Sequence, residues 1–114
     1  MVRNLSKGTA LASAPRYAKT FFARFLGLMG RKEFPESSDA LIFEACPSIH
    51  CFFMRMAIDA VFVDREGRVT RIFPSLKPWR LAFGGKGAYT VIELPAGVIE
   101  ATRTAPGDQL EIRV

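Results

Sequence analysis

Asp59-Ala60-Val61-Phe62-Val63-Asp64-Arg65-Glu66-Gly67-Arg68-Val69-Thr70-Arg71-Ile72-Phe73 reads as two strands joined by a tight turn. Apart from Asp59, residues 59–63 are apolar and rich in side chains that suit a pleated, buried surface. Asp64 to Gly67 is polar and ends on a glycine, which enters the left-handed region without a Cβ clash. Arg68 to Phe73 then returns antiparallel. A hairpin leaves two open edges, and chains that begin this way close into a sandwich or barrel.

Outward from the hairpin, Ala40-Leu41-Ile42-Phe43 is a short strand and Ala88 to Leu94 a strong one. Gln109 to Val114 closes the chain as a strand, and residues 1–14 suit one or two short strands broken at Gly8. Ile49 to Met56 reads as extended, and Val98 to Thr104 as one or two helical turns. Pro74 to Gly87 holds two prolines, three glycines and the sole tryptophan, and reads as a long loop.

One helix is expected near residues 17–29. Pro15 suits its first turn, and Ala18, Phe21, Phe22, Phe25, Leu26, Leu28 and Met29 paint one side of it. The expected class is therefore α+β: a β-rich small barrel or sandwich of mostly antiparallel strands with that one main helix.

At 114 residues the chain is expected to form a single domain, 1–114, with a core that needs no metal or disulfide support. Hydrophobic residues make up 49% and ten are phenylalanine, which excludes disorder for most of the chain. The net charge is +5, with sixteen Lys and Arg spread from Arg3 to Arg113. No run of them forms a basic tail, so a solvated surface is expected rather than a specific nucleic-acid site. No stretch approaches the roughly 20 apolar residues of a membrane span. The N-terminal residues lack the continuous apolar run of a signal peptide, so a cytoplasmic location with reduced thiols is expected.

Cys46 to Met56 gathers the only histidine, both cysteines and two of the four methionines. Cys46, His50 and Cys51 are types that ligate zinc, but no second ligand pair exists, and adjacent strand residues face opposite ways. No metal or cofactor is expected. A cysteine nucleophile with His50 as base needs contact that the spacing does not require; small apolar filling is the simpler role for Cys46 and Cys51.

Three charges sit in apolar surroundings: Arg24, Asp59 and Glu93. Unpaired burial of a charge is costly, so an Arg24–Glu93 pair, or Arg24 with Asp59, is expected to join helix to sheet. Trp79, between Pro78 and Arg80, is either a stacking platform or a loop anchor.

The chain also resembles the prokaryotic family called domain of unknown function 192. The resemblance starts at Asn4 and runs through Arg24-Phe25-Leu26-Gly27-Leu28-Met29-Gly30-Arg31 and Ala40-Leu41-Ile42-Phe43. It continues with Ser48-Ile49-His50, Met54, Ile58-Asp59, Val61-Phe62-Val63-Asp64, Glu93-Leu94-Pro95-Ala96-Gly97 and Pro106-Gly107-Asp108. Where other members carry Trp-Met-Lys-Asn-Thr, this chain has Phe53-Met54-Arg55-Met56-Ala57. The resemblance implies a small β-rich domain and supplies no catalytic residues.

The functional expectation is a small-molecule or glycan-binding module with a pocket near His50, lined by His50, Met54, Asp59, Trp79 and Glu93. The alternatives are a hydrolase using His50 with Asp59 or Glu93, and an accessory protein that docks a partner through exposed Phe and Met.

Overall fold

The computed structural model describes residues 1–17, 38–46, 48–50 and 56–114, with Ile49 and His50 described through the backbone. The expected helix near 17–29, with Arg24 and the Phe21 to Met29 stripe, lies outside the described residues, as do Cys51 and Met54.

Ten strands and one short helix are found among the described residues: β1 Val2–Asn4, β2 Thr9–Ala12, β3 Pro15–Tyr17, β4 Ala40–Glu44, β5 Ser48–His50, β6 Ile58–Val63, β7 Val69–Leu76, β8 Leu81–Phe83, β9 Thr90–Pro95, α1 Val98–Thr102 and β10 Leu110–Ile112. They form a five-stranded sheet in the order β3-β4-β9-β6-β7, a three-stranded sheet β10-β1-β2, and a ribbon of β5 with β8. Among these described strands only the β3–β4 pair is parallel. The architecture is α+β and β-rich, as the strand pattern implies.

β4, β6 and β9 are apolar at nearly every position because both faces of the central sheet are covered. On one face Ala40, Ile42, Val61, Val63, Ile92 and Leu94 pack with Val2, Leu11 and Leu110 of the three-stranded sheet and with Ile99 of α1. On the other, Leu41, Phe43, Ile58, Ala60, Phe62 and Val91 pack with Ala82 of the ribbon. Each fully buried side chain of this size contributes roughly 1.5–3 kcal/mol. The described residues thus form a sandwich of three layers, with the five-stranded sheet in the middle.

The turn between β6 and β7 is the one the sequence announces. Asp64 accepts the Glu66 and Arg68 amides on Oδ1, at 3.0 and 2.9 Å. Gly67 takes φ +83°, and a Cβ there would lie 2.7 Å from the Leu110 carbonyl oxygen. At this corner the central sheet meets β10, where the Leu110 amide donates to the Gly67 carbonyl and the Val69 amide to that of Asp108.

Two local readings are corrected. Pro15 does not open a helix; Pro15–Tyr17 is an edge strand parallel to β4. Asp39 decides this, because its carboxylate accepts the Ser13 and Ala14 amides at 2.8 Å each and holds β3 beside β4. Proline is tolerated at the start of such an edge. Nor is Pro74 to Gly87 one long loop. β7 runs through Pro74 to Leu76 as the opposite edge, and Leu81–Phe83 is β8.

The ribbon is held against the sheet by packing and by β7. Thr70 donates to the Gly84 carbonyl at 2.8 Å, and Arg71 to that of Phe83 at 3.3 Å. Gly84 rests on the Phe62 ring: a Cβ there would lie 2.4 Å from Phe62 and 2.5 Å from Ala88. Gly84→Ala should therefore cost about 1–3 kcal/mol, read as a lower denaturation midpoint with an unchanged slope. An unaltered midpoint would show that the ribbon does not press on Phe62.

Candidate functional site

Asp59 is fully buried in the centre of β6. Its register partner on β9 is Leu94, so its side chain points to the face that packs on the three-stranded sheet and α1. Three backbone amides meet its carboxylate. Ser75 donates to Oδ1 at 2.8 Å, and Gly97 and Ile99 donate to Oδ2 at 3.1 and 2.7 Å.

Each donor has a reason to be there. Between the pairs Ile58↔Leu76 and Ala60↔Phe73, Asp59 stands alone against Pro74 and Ser75. This is a bulge, with Ser75 at φ +52°, and it leaves an amide with no ladder partner. The helix α1 begins at Gly97 without a capping side chain of its own. Its free first-turn amides take Asp59 in place of a local cap, and the helix end favours the negative charge.

Glu93 sits in the centre of β9, between Leu41 of β4 and Ala60 of β6. That register puts it on the other face, with Val91, Phe43 and Phe62. The sheet therefore separates the two embedded carboxyls instead of gathering them in one cavity. Glu93 is buried, and among the described residues no donor or cation reaches it. Burial pushes its pKa up to about 8, so it is a neutral acid at pH 7. The expected pair with Arg24 falls outside the described residues.

The remaining candidates lie on the ribbon side. The His50 backbone pairs with Leu81 of β8, and Ser48 with Phe83. Trp79 stands two residues ahead of Leu81 and is 58% exposed. Its backbone is held at φ +65°, a conformation that costs a bulky residue of order 1–3 kcal/mol. Cys46 packs half-buried on the ribbon-side core, and its thiol donates to the Ser48 carbonyl at 3.0 Å.

A family model for domain of unknown function 192, described as Uncharacterized ACR, matches residues 2–112. The chain belongs to this family. It is 38% identical over 110 residues to the UPF0127 protein PF1050 of Pyrococcus furiosus, covering 95% of this chain and 94% of that protein. With the UPF0127 protein PH1112 of Pyrococcus horikoshii it shares 35% over 117 residues, covering 97% of each. Among solved structures, a protein of unknown function from Novosphingobium aromaticivorans has the same fold, with a TM-score of 0.73 at 23% identity over 86% of this chain and 74% of that one.

Most of the residues that carry the family likeness, where described, have structural tasks. Asp59 and Gly97 belong to the carboxylate–amide cluster, and Ile58 is buried in the ribbon-side core. Asn4 donates to Asp108 at 2.9 Å and to Thr104 at 3.2 Å, and accepts the Lys7 amide at 2.9 Å. Lys7 pairs with Asp108 at 2.8 Å, and Thr104 meets Thr102 at 2.7 Å. This network ties β1 to the end of α1 and the turn before β10. Glu93 is the exception: no described neighbour explains a carboxyl there.

Sequence reading passed over Leu81 and Phe83, which stand exposed on β8 beside Trp79. The sequence signal for them is a Leu-Ala-Phe alternation beside Trp79, masked by the flanking prolines and glycines.

Asp59→Asn leaves one carbonyl oxygen for three amides and turns an NH2 group toward donors. It should cost on the order of 3 kcal/mol in denaturant unfolding, with no change in slope; a loss below about 0.5 kcal/mol, the scale of a neutral surface change, would contradict the assignment. For Glu93 the sign runs the other way. The folded state keeps its proton up to about pH 8, whereas the unfolded chain releases it near 4.5. Stability should thus fall as pH rises between those values, by about 1.4 kcal/mol per pH unit across the window. Glu93→Gln should abolish that slope and overtake the parent toward pH 8; parallel curves for the two proteins would refute it.

Proposed function

We infer that the protein is a binding module that takes a small molecule or glycan at the β5–β8 ribbon, in a pocket near His50. Trp79 would form one wall, with Met54 and Glu93 as further contacts. The observation that carries the reading is Trp79 itself: a tryptophan 58% exposed and held in the left-handed region, two residues from the register partner of His50. Strained, exposed aromatics of this kind suit a platform for sugars and rings. A neutral Glu93 carboxyl would add a hydrogen-bond donor beneath the ribbon.

The hydrolase reading asks for His50 with a carboxylate. Asp59 is occupied by three amides on the opposite face. Glu93 remains as its partner, and its raised pKa suits a general acid at neutral pH.

Trp79→Gly separates the platform from a mere loop anchor. Glycine accepts φ +65° freely, so a platform role leaves the melting temperature unchanged or raised. In a thermal-shift screen against glycans and metabolites, the parent should be stabilised by at least one compound that fails with Trp79→Gly and His50→Ala. A large drop in melting temperature for Trp79→Gly, or hits that both variants retain, would defeat the reading.

A further inference from the structure

The net charge of the chain is confined to one segment. Residues 67–92 contain Arg68, Arg71, Lys77, Arg80 and Lys86 and no Asp or Glu. Sixteen basic residues less these five leaves eleven, matched by the eleven acidic residues, so the rest of the chain is neutral. Lys77, Arg80 and Lys86 are exposed, and Arg71 lies alongside β8 with its guanidinium on the Phe83 carbonyl.

The same segment carries three of the bulky apolar residues that are exposed among the described residues. Trp79 and Leu81 are each 58% exposed and Phe83 is 60% exposed. Ala82 between them is buried against the sheet, so Leu81 and Phe83 stand on the outer side of β8. A solvated surface has no use for three such side chains so close together in a segment whose only charges are basic.

We propose that the outer side of β8 is a peripheral docking surface for an anionic lipid bilayer. The charge selects a polyanion and acts over about a Debye length. The side chains select a polyanion with a hydrocarbon interior. Tryptophan favours the headgroup level, and Leu81 and Phe83 would enter the acyl boundary between the basic residues. A single-stranded nucleic acid would satisfy the cations and stack on Trp79 and Phe83, but it offers nothing to Leu81 at the centre of the strip. Charge and apolar insertion are the two signals that stable surface anchoring needs.

Trp79 is the only tryptophan and so reports its own environment. The full chain is mixed with phosphatidylcholine vesicles with and without phosphatidylglycerol, and both co-sedimentation and tryptophan emission are followed. The expected result is binding and a blue shift on the anionic vesicles alone, weakening as salt rises. Leu81→Glu with Phe83→Glu should lower the partition constant roughly tenfold or more at an unchanged melting temperature, since both sites are exposed. Lys77→Gln, Arg80→Gln and Lys86→Gln together should weaken binding and flatten its salt dependence. Absence of anionic-vesicle binding, undiminished binding by the Glu variant, or binding to a single-stranded oligonucleotide in place of vesicles would overturn the proposal. The outcome is separate from the pocket reading, because binding of a soluble glycan or metabolite can fail while vesicles still bind, and the reverse.

Discussion

A carboxylate buried in the middle of a β-sheet is tolerated only if its charge is met by donors, and Asp59 is met by three. Two irregularities of the chain depend on it. The bulge at Pro74-Ser75 strands one amide, and the start of α1 strands two more. Asp59 gathers all three from its place on a central strand. The helix is thereby fixed over the sheet, and the edge strand β7 bends at the point where the chain leaves toward the ribbon. Removing the carboxylate would orphan both features at once.

Strand alternation then divides the sheet by task. Asp59 and Glu93 are one register step apart across the β6–β9 ladder, and that single step sends them to opposite faces. The Asp59 face meets α1 and the three-stranded sheet, where the Asn4–Lys7–Asp108 network also lies; these groups are satisfied by one another. The Glu93 face meets the ribbon. There the chain keeps a carboxyl that burial holds neutral at pH 7, an aromatic in a strained backbone, and the exposed basic residues Lys77, Arg80 and Lys86 that flank β8. A buried carboxyl and a strained aromatic thus share one side of the sheet, and groups that cost stability in this way suit a recognition surface.

Much of the fold was legible in the residues. Asp59 to Phe73 announces itself through β-branched runs around a Gly67 that only a left-handed position explains. Other features needed long-range partners. Pro15 suits a helix start as well as an edge strand, and Asp39, over twenty residues away, makes the choice. β8 hides among prolines and glycines because its order comes from pairing with β5 and from Gly84 seated on Phe62. Asp59 and Glu93 were both visible as polar residues in apolar runs, but their faces follow from the register of two strands distant in sequence. The charge was counted over the whole chain, where it looks scattered; the segregation appears only when residues 67–92 are counted alone.

Amide hydrogen exchange on the native protein tests the central claim most directly. The Ser75 and Ile99 amides belong to neither the strand ladder nor the internal helix bonds, so without Asp59 they would exchange as loop amides do. If the buried carboxylate holds them, both exchange as slowly as the core amides of β6 and β9 and open with the same free energy. Rapid exchange at either position, with the β6 and β9 amides still protected, would show that Asp59 is not what secures the helix and the bulge.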